Sequence, residues 1–164
     1  MKKVAIITRT KNRPIMLPRV LISIQRQTFK DYTWILVNDA GEKAPIDNIA
    51  DSARDNGIDV IVIHRDKSIG MEAASNDGAR QSNSEYIVIH DDDDTWEADF
   101  LKKTVTYLDQ NQGVPGAIVL SNRIDEILED DSIHIQNVTP YNHWLKNIYI
   151  SDMALRRGCA DRCA

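Results

Sequence analysis

Four consecutive aspartates, Asp91 to Asp94, follow closely on the apolar run Tyr86 to Ile89. Such a run beside a buried strand is costly, because neighbouring carboxylates repel unless a cation or a set of N–H donors compensates them. A divalent metal meets that need. Oxygen-only ligands favour Mg²⁺, Mn²⁺ or Ca²⁺ over zinc, and Mg²⁺ is typically held by one or two carboxylates with phosphate and water completing its shell. Asp91 and Asp93, two apart, could share an ion or divide it with a diphosphate. The plainer reading is a solvated acidic turn ahead of the helix that starts near Ala98, where negative charge is favourable. An EF-hand fits poorly, since Trp96 and Lys102 stand where that loop needs its glycine and closing glutamate.

Other apolar runs empty into equally polar segments. Val4 to Ile7 leads into Thr8-Arg9-Thr10-Lys11-Asn12-Arg13, Trp34 to Val37 into Asn38-Asp39-Ala40-Gly41, and Val60 to Ile63 into His64-Arg65-Asp66-Lys67-Ser68. These runs are rich in β-branched or aromatic residues without strict alternation, the pattern of strands buried on both faces. A fifth run is Ala117 to Leu120. Between them the spacing predicts helices: Leu17, Val20, Leu21 and Ile24 with Pro14 and Pro18 near the start, Ile46 to Asn56 ending at Gly57, Met71 to Gln81, and a fourth from about Ala98 carrying Phe100, Leu101, Val105 and Leu108. Strands alternating with helices predict an α/β fold. In an open parallel sheet the ligand sits outside the carboxyl ends of the strands, which is where the charged residues fall.

Beyond Asn122 the signal weakens. Asp125 to Asp131 reads as an exposed acidic loop, Ser132 to Val138 alternates like an edge strand, and the remainder to Ala164 has no clear period. The chain has 164 residues with 42% hydrophobic and 27% charged content, which fits one soluble domain. Its net charge of −5 argues against a protein that coats nucleic acid. The apolar run after Lys2 and Lys3 is too short for a secretory signal, and no stretch is long enough to span a bilayer. With only Cys159 and Cys163, close together near the end, the expectation is a reducing compartment and a cytoplasmic protein, with peripheral association at the inner face of a membrane left open.

The residues also carry a resemblance. The stretch from Val4 to Gly41, with Thr10-Lys11-Asn12-Arg13, Gln27-Thr28-Phe29 and Asn38-Asp39-Ala40-Gly41, is similar to the opening of family 2 glycosyltransferases of the GT-A fold. Gly70, Asn76, Glu85-Tyr86-Ile87 and the segment Asp91 to Trp96 resemble that family's later Gly, Asn and Glu-Tyr-Ile positions and its Asp-x-Asp motif. The resemblance implies a mostly parallel, Rossmann-like sheet flanked by helices in three α/β/α layers. It makes residues 1–122 a nucleotide-sugar-binding core and residues 123–164 a partial acceptor-side region, while the lack of hydrophobic periodicity from Arg156 to Ala164 reads as a disordered tail. It further implies that Asp39 meets the base, that Thr8, Arg9, Thr10 and Arg13 line base and ribose, and that Gly70 and Asn76 lie on the donor side. Asp92 would approach the ribose, while Asp91 and Asp93 would hold Mn²⁺ or Mg²⁺ against the diphosphate.

The function so implied is inverting transfer of a sugar from a UDP-, GDP- or dTDP-sugar to a saccharide or lipid-linked acceptor, in polysaccharide or glycoconjugate synthesis. The sequence departs from the family pattern at Lys11 and Asn38, and it points to no catalytic base. Two alternatives stand beside this reading. Asp91-x-Asp93-x-Thr95 with Ile118 to Asn122 resembles the first motifs of haloacid-dehalogenase-like phosphatases, and a short transferase could be a non-catalytic nucleotide-sugar-binding module.

Overall fold

Four of the apolar runs and the first two residues of the fifth become strands of one sheet: β1 Val4–Thr10, β2 Tyr32–Asn38, β3 Val60–His64, β4 Tyr86–Ile89 and β5 Gly116–Ile118, with Leu120 outside the described residues. The computed structural model describes residues 1–119, 121–129, 132–141 and 153–156. The four predicted helices are present as α1 Leu17–Gln25, α2 Ala44–Asp55, α3 Met71–Arg80 and α4 Phe100–Gln110. Pro18 and Pro45 sit in the first turns of α1 and α2, where a missing N–H costs nothing. Gly57 follows α2 with φ +77°, a conformation that glycine adopts without a Cβ clash.

The sheet order is β3-β2-β1-β4-β8-β5, where β8 is Met153–Arg156. The first four strands are parallel, and β8 runs antiparallel between β4 and β5. No period marks β8 in the sequence. The chain steps outward from β1 through β2 to β3 and then returns to the far side of β1 for β4. That reversal opens a crevice between the carboxyl ends of β1 and β4.

Strand parity divides the core into two layers. Val4 and Ile6 of β1 with Trp34 and Leu36 of β2 face α1, α2 and α4, while Ala5, Ile7, Ile35 and Val37 face α3. The second layer is tight at Gly78, where an added Cβ would stand 2.6 Å from Ile7 Cγ2 and 3.2 Å from Val37 Cγ2. Both neighbours are fully buried. Gly78→Ala is therefore expected to lower stability by about 1–2 kcal/mol, because overpacking outweighs the gain of about 1 kcal/mol in helix propensity. Urea unfolding checks this, and a stabilised variant would show that α3 can lift off the sheet without loss.

Two expectations need correction. The acidic stretch read as an exposed loop is mostly strand: β6 Ser121–Glu129 pairs antiparallel with β7 Ser132–Tyr141, with an irregularity at Asp125/Glu126. The strand expected over Ser132 to Val138 is β7, extended to Tyr141 and paired with β6 in a separate two-stranded sheet rather than at the edge of the main one. Alternating side chains made β7 legible, whereas the acids of β6 looked like loop because both of its faces carry polar residues. Asp130, Asp131, Trp144, Cys159 and Cys163 lie outside the described residues.

Candidate functional site

The β1–β4 register determines which rim residues meet. Ile7 pairs with Ile89. The same register carried onward sets Arg9 beside Asp91 and Thr10 beside Asp92. The contacts follow: Arg9 Nη1 lies 2.7 Å from Asp91 Oδ1, and Thr10 Oγ1 donates to Asp92 Oδ2 at 2.6 Å. Arg13, in the turn after β1, spans two carboxylates, donating from Nη1 to Asp92 Oδ1 at 2.7 Å and from Nη2 to Asp93 Oδ2 at 3.0 Å.

Asp92 is the buried member of the group, with its side chain 6% exposed, while Asp93 is 53% exposed. Burial pushes the Asp92 carboxyl above its ordinary range, although the Thr10 hydrogen bond and the Arg13 charge pull against it. Burial pulls Arg13 the other way, but its hydrogen bond to Asp93 and the charges of Asp92, Asp93 and Asp91 leave its pKa raised. The aspartates are not a cap for α4. That helix begins at Phe100, and its N-cap residue Asp99 pairs with Lys103 at 2.7 Å.

A second cluster lies at the end of β2. Asp39 Oδ1 accepts from Arg65 Nη1 and its Oδ2 from Ser68 Oγ, both at 2.6 Å. Arg65 also reaches Asp77 of α3 through Nε at 3.0 Å, so one guanidinium ties the ends of β2 and β3 to a helix. Asp39 is held close to β1, its backbone N–H donating to Thr10 O at 2.9 Å. The turn that follows is compact. Asn38 Oδ1 accepts from Gly41 N at 2.9 Å, Asn38 Nδ2 donates to the Gly41 and Glu42 carbonyls, and Asn12 Oδ1 accepts from Glu42 N. A Cβ at Gly41 would stand 2.7–2.9 Å from Asn12 and Asn38 atoms, which explains the glycine there.

The remaining sequence candidates divide. Arg9 also reaches Met71 Sδ at 3.6 Å, which brings the start of α3 and the preceding Gly70 to the rim. Gly70 has φ +111°, an angle that side chains rarely tolerate. Asn76 lies further along α3, half-buried, and makes no hydrogen bond to the strand-end cluster among the described residues. Thr8 is a correction, since it is fully buried on the α1 side of the sheet and its Oγ1 accepts from Trp34 Nε1 at 3.0 Å. It supports the rim from the core and has no surface for a ligand. The parity of β1 accounts for this, because a position before the strand ends is still enclosed.

Sequence reasoning missed Arg65 and Ser68 as the partners of Asp39. The signal was present in the polar segment after β3, because β3 neighbours β2. It also left Gln27 unexplained. Gln27 is completely buried, donates through Nε2 to the Ser23 and Glu97 carbonyls, and accepts through Oε1 from Leu101 N, one of the unpaired N–H groups of the first turn of α4. Ser23 Oγ accepts from Trp96 N at 2.8 Å, and Trp96 stacks on Phe100 with ring centroids 4.4 Å apart. These contacts pin both ends of the segment between the aspartates and α4.

The glycosyl transferase family 2 model matches residues 5–157, nearly the whole chain and every element above. The chain belongs to glycosyl transferase family 2. An uncharacterized glycosyltransferase of Bacillus subtilis, YwdF, is 35% identical over 101 residues, covering 62% of this chain and 36% of that protein. A GalNAc(5)-diNAcBac-PP-undecaprenol β-1,3-glucosyltransferase of Campylobacter jejuni is 28% identical over 94 residues, which are 57% of this chain and 30% of that protein. The chain thus spans roughly a third of the length of these curated relatives.

Among solved structures, S. aureus TarS in complex with UDP-GlcNAc superposes with a TM-score of 0.70 at 17% identity, over 95% of this chain and 46% of that one. A mannosyltransferase of Pyrobaculum calidifontis in complex with GDP-Man and Mn²⁺ gives 0.65 at 21% identity, over 73% and 36%. The fold of this family 2 chain is GT-A, as the resemblance implied. The match also overturns the phosphatase alternative. In that alternative Asp91 would be a free nucleophile after the first core strand, whereas here it follows the fourth strand and is paired with Arg9.

The donor set at the end of β4 is all oxygen and suits a hard divalent cation whose shell is completed by phosphate and water. Among the described residues no three His, Cys, Asp or Glu side chains form a ready cation cage, because the carboxylates face guanidinium groups. No described helix is long and apolar enough to cross a membrane.

Proposed function

We propose that this chain binds a nucleotide-diphospho-sugar across the carboxyl ends of β1, β2 and β4 and, with a divalent cation, serves its transfer with inversion to an acceptor hydroxyl. The observation that carries this is the convergence of Asp39, Arg9, Thr10, Arg13 and Asp91 to Asp93 on one crevice of a family 2 GT-A domain. Asp39, with both oxygens engaged by donors, is an acceptor for a base that presents an N–H edge, which uracil, thymine and guanine do. Arg9 and Arg13 supply guanidinium groups at the height where a diphosphate would lie. Asp91 and Asp93 would hold Mn²⁺ or Mg²⁺, and the chemistry such an ion supplies is neutralisation of the charge that builds on a departing nucleoside diphosphate.

The donors carried by the solved relatives, GDP-Man and UDP-GlcNAc, support a nucleotide-sugar ligand. The acceptor in this reading is a saccharide or a lipid-linked saccharide, at the cytoplasmic side of a membrane. Residues 1–122 carry the donor side, and the remainder contributes to the acceptor side. A second reading is a binding module that holds the donor without transferring it.

Incubation with UDP-, GDP- and dTDP-sugars separates the two, since a transferase releases nucleoside diphosphate and a binding module does not. Asp93→Ala is expected to lower nucleotide affinity in Mn²⁺ to its value in chelator, with an unchanged fold because Asp93 is exposed. Retained Mn²⁺ dependence would remove Asp93 from the metal assignment.

A further inference from the structure

We propose that Arg13 guards the cation position: its guanidinium leaves Asp93, while keeping Asp92, for a divalent ion to bind, and a diphosphate draws it away. This rests on the nucleotide-sugar reading above. The two arms of Arg13 are unequal. One holds Asp92 at 2.7 Å, a carboxylate with 6% of its side chain exposed and a second hydrogen bond from Thr10. The other holds Asp93 at 3.0 Å, where 53% of the side chain meets solvent and screens the pair.

A ligand that competes for Arg13 therefore frees Asp93 first, with Asp92 as the pivot. The planar fork of the guanidinium then presents its released N–H groups to phosphate oxygens, a geometry it matches well. Arg9 is not suited to that exchange. Only 14% of its side chain is exposed, and it is lodged between Asp91 and Met71. A divalent ion arriving alone at Asp93 meets the positive charge of Arg13 within a few ångströms, and no ready cage of three ligating side chains competes among the described residues. With a diphosphate present, the guanidinium and the ion are separated by negative charge. Cation and diphosphate should therefore bind with positive coupling, and linkage requires each to raise the affinity of the other by the same factor.

The test is direct titration of Mn²⁺ into the full chain, with free Mn²⁺ read by electron paramagnetic resonance. It is run without nucleotide and then with UDP, GDP or dTDP, corrected for the Mn²⁺ that the nucleotide holds in protein-free solution. Without nucleotide, Arg13→Gln is expected to bind Mn²⁺ at least about tenfold tighter than the wild type, the effect of removing one adjacent charge. Nucleotide should then raise the Mn²⁺ affinity of the wild type far more than that of the variant. Arg13→Lys, which keeps the charge but cannot span both carboxylates, should shift in the same direction by less, and it serves if Arg13→Gln does not fold.

No gain in either variant, or a wild type that binds a nucleotide yet holds Mn²⁺ no tighter with it than without, overturns the guard. No gain in the variants alongside intact nucleotide binding leaves the donor reading standing. A gain in the variants with none of the three nucleotides bound by the wild type, read by calorimetric titration, fails the donor reading and leaves the cation guard.

Discussion

Replacing Asp39 by alanine is expected to lower the stability of the domain by about 3 kcal/mol and its nucleotide affinity by about 100-fold. The stability loss comes from what the substitution leaves behind. Arg65 has 8% of its side chain exposed and would keep only Asp77, while Ser68 would lose its acceptor. A buried cation deprived of one carboxylate carries most of its desolvation cost without the interaction that offset it. The affinity loss has a separate origin, the removal of the charged acceptor from the end of β2. Asp39→Asn tells the two apart, since an amide keeps one acceptor oxygen but loses the charge. Urea midpoints and calorimetric titration measure the pair of effects. If Asp39→Ala unfolds at the wild-type midpoint, the Asp39–Arg65 bridge is not a structural contact of the folded state.

The second large effect is a loss of stability in mild acid traced to His90. This residue, adjacent to the aspartates, is completely buried, and its Nδ1 has no hydrogen-bond partner. Its Nε2 is 3.4 Å from Ser23 Oγ, and its ring meets Trp96 edge-on with centroids 4.1 Å apart. Burial lowers its pKa from 6.5 to about 3, against smaller raising effects from backbone hydrogen bonding and the Asp93 charge. The folded state therefore stays neutral where the unfolded chain is protonated. Stability is complete above about pH 6.5 and is lost as the pH falls toward 3, at up to about 1.4 kcal/mol per pH unit and on the order of 4 kcal/mol in all.

Asp92, whose pKa is raised, acts in the opposite sense at the acid end of this range, since there the folded state binds more protons than the unfolded chain. His90→Leu isolates the histidine. It is expected to hold its stability at pH 7 to within about 1 kcal/mol, because the lost contact is weak and an unpaired polar atom is removed. Its stability should fall less steeply than that of the wild type between pH 6 and 4. Parallel pH profiles of the two proteins would show that His90 accepts a proton in the folded state.

The parts of this molecule that could be read from its sequence are those where one physical rule acts alone. Buried parallel strands require unbroken apolar runs, so β1 to β4 were visible, and amphipathic helices require a 3.6-residue period, so α1 and α4 were visible with their core faces. Strand ends followed, and with them the acidic and basic residues of the rim. What escaped depends on partners distant in the chain. The four residues of β8 are a strand only because β4 and β5 pair with both of their edges. Thr8 was assigned to the rim because it follows the apolar run, whereas β1 continues to Thr10 and keeps Thr8 against Trp34. The pairing of each aspartate with a particular arginine comes from the β1–β4 register, which no local pattern contains. The same register turned a run of repelling carboxylates into three distinct environments, with Asp91 half-buried on Arg9, Asp92 enclosed and Asp93 open to solvent.

In the proposed function the crevice between β1, β2 and β4 binds a nucleoside diphosphate together with a divalent cation. Calorimetric titration of the chain with UDP, GDP and dTDP, each in Mn²⁺ and in chelator, addresses it most directly. The expected result is saturable binding of at least one nucleotide, much tighter in Mn²⁺, and weakened by Asp39→Ala. Absence of binding by all three in either condition, from protein with the wild-type urea midpoint, would contradict it.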